Sequence, residues 1–323
     1  MFIGVEHGTT AIRFATKYDY FEISREAAAA LDCETLFAHI EEKLHVKRDD
    51  IKMFALTYSM GDGINSITPI EKTTNRALIT RGGAGLHVGG GTRVFDLIRS
   101  SGLRAVVISG VHRGSGCDER LDVYSHGTSP EKIGIVYHIY KKGTNEFIVC
   151  DISSNTVTIA VANGKIIGAI DACVFAPGIQ HGPLDVEAIR KIDAGECTAN
   201  EAFTRAGVIK HTPYKNLDEL TQAYNQRKAD AILSFDSLSL LCAMEIAAMK
   251  VFMRDYNISP DNCKVYLSGS VSEIECVKKQ IEKHLHAQTI SVGERSAAVG
   301  LAEIAEGIYN GATNITGIKV EKR

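Results

Sequence analysis

Residues 147–171 read FIVCDISSNTVTIAVANGKIIGAID. The apolar run Phe147, Ile148, Val149, Cys150 predicts a buried strand that stops at Asp151. A polar turn follows at Ser153, Ser154, Asn155 and Thr156. A second apolar run, 157–161, leads to Asn163-Gly164 and then to a third, 165–170. Asn-Gly between two β-rich runs is a strong hairpin signal, because both turn positions need φ > 0 and these residues tolerate it best. The stretch therefore predicts a pair of β-hairpins. Its first turn joins one carboxylate to a row of hydroxyls and amides. Backbone N–H groups and hydroxyls in such a turn can face a phosphate, and the carboxylate can face the metal that accompanies it. Asp and Ser also fill ordinary turns, so a single copy decides nothing.

The chain begins with a similar device. Residues 2–5 predict a short strand that runs into Glu6-His7-Gly8-Thr9-Thr10, after which 11–15 resume an apolar pattern. Gly8 permits close backbone approach, and Thr9 and Thr10 can donate to phosphate oxygens. An ordinary hairpin turn would use the same residues. A third strand end lies at 264–270, KVYLSGS, where Ser268, Gly269 and Ser270 precede a helix. A glycine there lets a flat or phosphorylated ligand lie against the backbone.

With 323 residues, 45% of them apolar and 23% charged, the chain can bury a large core. That length suggests about two domains. A net charge of −3 leaves no basic footprint for nucleic acid, and the absence of Trp argues against a base-stacking surface. The eight cysteines form no Cys-x-x-Cys pair, and several lie in apolar runs. They predict buried free thiols in a reducing cytoplasm, with a metal cluster as the alternative. The start, MFIGVEHGTT, lacks the basic and apolar regions of a secretory signal. No run of about 18 apolar residues predicts a membrane span.

Between these stretches, 24–46 predicts a helix capped by Ser24, and 52–58 a strand. Glycine then crowds positions 61–63 and 82–92, and Thr92 is the expected cap of a helix over 93–100. A glycine-rich loop entering a helix N-terminus suits an anion. With Arg81, His87 and Arg93 nearby it is the candidate site for a second substrate, or else a surface loop. The run RAVVIS at 104–109 predicts a doubly buried strand with His112, Arg113 and Ser115 beyond its carboxyl end, where α/β proteins bind ligands. A helix over 131–140 follows Pro130, and 141–146 is the best domain boundary. Residues 171–185, DACVFAPGIQHGPLD, form a stiffened loop carrying Gln180, His181 and Asp185. His181 could be a general acid or base or stabilise a transferring group, and Asp185 could simply cap the next helix. Residues 230–256 predict a core helix, with Asp236, Glu245 and Lys250 arguing against a membrane span. A helix over 273–286, a strand over 288–292 and a small-residue helix over 296–309 complete the chain, with 310–323 as a tail or edge strand.

In order along the chain, EHGTT at 6–10, DISSNT at 151–156 and LSGS at 267–270 resemble the phosphate-1, phosphate-2 and adenosine motifs of the acetate and sugar kinase, heat-shock ATPase and actin superfamily. The resemblance spans nearly the whole chain. It is nearest to the acetate/butyrate kinase side through GIQHGPLD at 178–185, and nearest overall to the archaeal methanogenesis marker protein 12 family. It implies an α/β chain of two ribonuclease-H-like domains, 1–144 and 145–323, that close over ATP in a cleft, with the last helix packing back on the first domain. It implies that Gly8, Thr9, Thr10, Ser153, Ser154, Asn155 and Thr156 contact phosphates. Ser268, Gly269 and Ser270 would face the nucleoside, and Glu6 and Asp151 would hold Mg²⁺. Asp151 and His181 are the catalytic candidates, joined by Arg81 and Arg113 from their loop positions alone. The superfamily has Asp where this chain has Glu6, which is one methylene longer. The implied activity is a cytoplasmic ATP- and Mg²⁺-dependent phosphotransferase acting on a small anionic acceptor. The alternative is a nucleotide-binding regulator or ATPase-type activator of a partner protein in methanogen metabolism. Acetate kinases are dimers, so the resemblance also implies a homodimer, without nucleic acid or membrane.

Overall fold

The computed structural model describes residues 1–57, 63–73 and 89–322. Strands β1 (Phe2–His7), β2 (Ala11–Ala15) and β3 (Tyr20–Ser24) form an antiparallel meander. Ser24 caps α1 (Arg25–Ala29) as expected, but the helix does not continue to 46. Asp32 interrupts it and caps a second helix, α2 (Cys33–Leu44), by accepting from Thr35 N at 2.8 Å. Asp gains more as an N-cap than inside a helix, where its side chain competes with the backbone. β4 (Met53–Thr57) returns parallel to β1. A short β5 (Thr68–Pro69), α3 (Gly90–Ser100) and β6 (Ala105–Val107) complete a six-stranded sheet of order β3-β2-β1-β4-β6-β5. Helix α3 starts earlier than the expected Thr92 cap. Gly89 takes the cap position at φ 85°, a conformation glycine adopts without strain, and Gly90 packs where a Cβ would meet Arg25 O at 2.2 Å.

The ribbon β7 (Val111–His112) and β8 (His126–Thr128) leads to α4 (Glu131–Lys141), which Pro130 begins. Then come β9 (Phe147–Ile152), β10 (Thr156–Ala162) and β11 (Lys165–Asp171), the meander read from 147–171. Asn163 (φ 51°) and Gly164 (φ 72°) occupy the left-handed region, as a two-residue hairpin turn requires. Helices α5 (Val186–Asp193), α6 (Ala199–Thr204), α7 (Leu217–Asn225) and α8 (Ala229–Met253) precede β12 (Lys264–Ser268), α9 (Glu275–Leu285), β13 (Thr289–Ser291) and α10 (Ser296–Tyr309). The second sheet has order β11-β10-β9-β12-β13. In both sheets a three-stranded antiparallel meander continues from its first strand into two parallel strands, β1-β4-β6 in the first and β9-β12-β13 in the second; the first sheet adds β5, antiparallel to β6, at its edge. The second sheet therefore repeats the topology of the first. The tail forms a small hairpin, β14 (Asn314–Ile315) and β15 (Ile318–Lys319), and bonds back to the first half, with Ile67 N donating to Lys319 O at 2.8 Å.

Helix α8 is long and apolar enough to cross a membrane by length and composition, against the expectation from the sequence. Half of that apolar window is buried within the protein. Glu245 does not break its buried face. It lies fully inside and accepts from Ala176 N at 2.9 Å, and burial pushes its carboxyl up to about 8.

Helices α4 and α10 lie between the two sheets, and α10 also packs on β1 and β4. Their contact is backbone against backbone. A Cβ on Gly300 would meet Gly134 O at 1.9 Å, one on Gly134 would meet Ala297 O at 2.4 Å, and one on Gly4 would meet Ala298 O at 2.0 Å. Carbonyls of packed helices cannot swing aside as a flexible side chain can. Gly300→Ala should therefore destabilise the protein by about 1–3 kcal/mol through overpacking, despite alanine's better helix propensity. Denaturant melts of the two proteins measure it, and a midpoint equal to or above that of the wild type would refute this packing.

Candidate active site

Glu6 and Asp151 occupy equivalent places in the repeated topology, each the last residue but one of the first strand of its sheet. Both are buried. Thr57 sits beside Glu6 and Ser268 beside Asp151 in the parallel registers. Each acid already has a protein cation. Glu6 Oε1 accepts from Arg13 Nη1 at 3.0 Å, and Arg13 is its cross-strand partner on β2. Asp151 Oδ2 accepts from Lys132 Nζ at 2.9 Å and from Ser153 Oγ at 3.3 Å. Lys132 is the second residue of α4, buried, and also within 3.3 Å of Glu131 Oε1.

These groups share one field. Burial pushes the Glu6 carboxyl up to about 7; Arg13 and Lys132 oppose the rise, and Glu131 and Asp151 add to it. Burial alone would lower Lys132, but the charges of Asp151 and Glu131 overcome it and hold the ammonium above its usual range. The three acids and two cations thus lie within electrostatic reach of one another. Glu6 Oε2 is buried and, among the described residues, without a hydrogen-bond partner. That oxygen leaves room for one more donor. The described donors are nevertheless arranged for protein cations rather than for Mg²⁺ held directly. Lys132 takes the Asp151 oxygen, and no group of three or more His, Cys, Asp and Glu among the described residues surrounds one point.

The turn at 8–10 is braced by arginines. A Cβ on Gly8 would meet Arg13 Nη1 at 2.3 Å, so glycine lets the guanidinium cross to Glu6. Arg25 Nη1 donates to Gly8 O at 3.1 Å, while Thr9 and Thr10 are exposed. The turn at 153–155 closes through Ser153 N, which donates to Asn155 O at 2.9 Å. Thr156 turns inward, and its hydroxyl donates to Pro177 O at 2.8 Å. The loop with His181 clamps this turn, since Gln180 N and His181 N donate to Ser154 O at 3.0 and 2.8 Å. Gly178 lies so close that a Cβ would meet Asn155 Cα at 2.4 Å. His181 is half-buried with its ring 5.1 Å from Phe203, and burial lowers its pKa; Asp171 and Lys132 are near enough to act on it in opposite directions. Gly269, at φ 85°, lies over the same strand end, where a Cβ would meet Ile152 O at 2.4 Å and Asp151 Oδ1 at 2.9 Å. Ser268 is buried against Ser296 Oγ at 3.2 Å, and Ser270 is exposed. Two glycines with no room for a side chain, Gly178 and Gly269, thus pack against the strand end and turn that carry Asp151.

Other expected residues are placed elsewhere. Arg81, with His87 and the glycines at 82–85, lies outside the described residues. Arg113 is not drawn to the cluster: its Nε donates to Asp122 O at 2.7 Å and its Nη2 to Val123 O at 3.4 Å. Arg93 donates to Leu31 O at 2.5 Å. Asp185 caps α5 and pairs with Lys210 at 2.5 Å. Lys132, Glu131, Arg13 and Arg25 were not singled out from the sequence. Arg13 was within reach, because a hairpin centred on 9–10 sets it opposite Glu6. Lys132 was not, because only the packing of α4 against β9 brings it to Asp151. Nothing in the sequence flags His126, whose Nε2 lies 3.3 Å from buried Asp171 Oδ2 and whose Nδ1 lies 3.2 Å from His112 Nδ1. A ribbon this short leaves no alternation to detect.

The Glu6 shift has a measurable sign. The carboxyl ionises near 4.5 when unfolded and near 7 when folded, so folding binds a proton between these values. Stability is therefore lost as pH rises through that window, by up to about 3 kcal/mol at about 1.4 kcal/mol per unit. Glu6→Gln should flatten the fall in stability between these pH values by about that amount. Glu245 contributes with the same sign in both proteins and cancels. Denaturant melts across the pH series test it, and parallel curves would contradict a buried, protonated Glu6.

A family model described as a protein of unknown function, DUF1464, matches residues 128–316. The UPF0285 protein of Methanosarcina mazei is 49% identical over 324 residues, 99% of each chain. That of Methanocaldococcus jannaschii is 42% identical over 331 residues, 99% of this chain and 98% of its own. Among solved structures, a propionate kinase from Francisella tularensis superposes with TM-score 0.66 at 12% identity, covering 94% of this chain and 98% of its own. Porphyromonas gingivalis acetate kinase gives 0.64 at 11%, covering 95% and 98%. A ROK family glucokinase from Streptomyces griseus, in complex with glucose and AMPPNP, gives 0.52 at 15%, covering 94% and 99%. At such identities the likeness is one of fold, and it is the fold expected from the three motifs. The chain belongs to the UPF0285 family and has the kinase-like, actin-like ATPase fold.

Proposed function

We propose that the protein binds ATP across the turns at 8–10 and 153–155 and transfers the γ-phosphoryl group to a small anionic acceptor such as a carboxylate. The observation that carries this reading is the cluster of two buried acids at matching strand ends, Glu6 and Asp151, with half-buried Arg13 on the first, buried Lys132 on the second and Gly269 laid against Asp151. The proteins of similar fold named as propionate and acetate kinases support the choice of acceptor class.

Phosphoryl transfer is mainly positioning and charge stabilisation. In this reading Arg13 and Lys132 supply positive charge to the phosphates, and Asp151 holds Lys132 in place until they arrive. His181 stands beside the second turn, and its lowered pKa keeps it neutral near pH 7, able to donate one hydrogen bond to a transferring group. Gly269 lets the nucleoside approach the backbone. Mg²⁺ enters as the nucleotide's own ion, with no protein ligand assigned to it.

A second reading, a nucleotide-binding regulator or ATPase-type activator of a partner protein, is favoured by Glu6 in the place of Asp and by the engagement of Asp151 with Lys132. Calorimetry with ATP, followed by assay of labelled phosphoryl transfer to acetate, propionate and butyrate, separates the two. The kinase reading expects binding and acid-dependent transfer. It also expects Asp151→Asn to lower turnover at least about 100-fold, a loss of the size seen when a group acting on the transition state is removed, while circular dichroism shows the fold retained. Binding with hydrolysis indifferent to added acids would favour the regulator, and no binding of ATP would defeat both.

A further inference from the structure

The two strand-end acids, Asp151 and Glu6, each hold a protein cation, and both cations are gripped in the same way. Lys132 Nζ lies between an inner acid, Asp151 Oδ2 at 2.9 Å, and an outer one, Glu131 Oε1 at 3.3 Å. Ser129 Oγ donates to that same Glu131 oxygen at 2.6 Å. Arg13 lies between Glu6 Oε1, 3.0 Å from its Nη1, and Glu22 Oε2, 3.3 Å from its Nε. The Tyr20 hydroxyl donates to that Glu22 oxygen at 3.1 Å. In both, a hydroxyl fixes the outer acid, and the inner and outer acids together fix the cation. An ammonium and a guanidinium each carry more N–H donors than the described bonds use, so both keep donors for a further anion.

The inner acids offer a metal ion little. Asp151 Oδ2 is taken by Lys132 and Ser153. Asp151 Oδ1 lies against Gly269, where a Cβ would stand 2.9 Å from it. An Mg²⁺ held by either oxygen would sit about 2 Å from it, close enough for the ammonium to repel it. Glu6 Oε2 is buried, out of reach of an ion that keeps several of its waters. The combined charge of Arg13 and Lys132 equals that of one Mg²⁺, and it is fixed in place before any ligand arrives. We propose that these two side chains do the metal's work in holding the phosphates, so that the site binds ATP at least as tightly without Mg²⁺ as with it. The inference rests on the ATP reading above and adds the form of the ligand: the free polyphosphate anion, matched by fixed cations rather than by an ion it must carry.

Calorimetry of the full chain with AMPPNP, once in EDTA and once in excess Mg²⁺, tests this. The wild type should bind in EDTA with a Kd equal to or below that in Mg²⁺. Lys132→Met should weaken binding in EDTA about tenfold or more, the loss of one charge-assisted hydrogen bond. Mg²⁺ should restore part of that loss, because the substitution frees Asp151. Circular dichroism checks the fold of each variant. The double variant Lys132→Met/Asp151→Asn, which removes both charges of the buried pair, should show the same loss in EDTA without recovery in Mg²⁺. Wild-type binding that is weaker in EDTA overturns this inference alone and leaves the ATP reading standing. So does unchanged binding in EDTA by the folded variants. No binding in either buffer overturns both.

Discussion

The ion pair between Lys132 Nζ and Asp151 Oδ2, 2.9 Å long and buried at both ends, holds the candidate site in place. It joins α4, the helix between the sheets, to β9, the central strand of the second sheet. Taking both charges out of water is costly, and their attraction roughly offsets that cost only when the geometry is good. Removing one partner is another matter, because an uncompensated buried charge costs about 3–5 kcal/mol. The pair therefore contributes little net stability while fixing where the ammonium stands. That ammonium sits where three acids converge, so its position decides what else the cluster can accept.

The glycine contacts of α10 give this arrangement its reach. Gly300 and Gly134 let α10 touch α4, the helix that carries Lys132, backbone to backbone. Gly4 does the same for α10 on β1, which carries Glu6. One close-packed layer therefore sets both strand ends relative to each other. The repeated strand order explains why the two acids match: the same topology, used twice, ends its first strand at the same place.

Much of this was legible in the sequence because it is local. The meander at 147–171 follows from Asn163-Gly164 and successive apolar runs, and Ser24 and Asp185 announce their helices by capping chemistry. Resemblance of three separated turns pointed to the fold. What stayed hidden depends on distance through space. Lys132 reaches Asp151 only after a helix has docked, and His126 reaches Asp171 only across a ribbon too short to signal itself. Arg113 looked available because a loop arginine beyond a strand end often is; the carbonyls of Asp122 and Val123 that occupy it could not be foreseen. The break at Asp32 is hard to see because helix-favouring residues flank it on both sides, alanines at 27–30 before it and an apolar face at Leu36, Phe37 and Ile40 after it.

The proposed binding of phosphates at the Lys132–Asp151 pair is open to a crystal structure with AMPPNP. The γ-phosphate should lie within hydrogen-bond distance of Lys132 Nζ, about 3 Å, between the turns at 8–10 and 153–155, with the nucleoside against Gly269. A nucleotide bound elsewhere, or phosphates held while Lys132 remains on Asp151 and out of their reach, would contradict it.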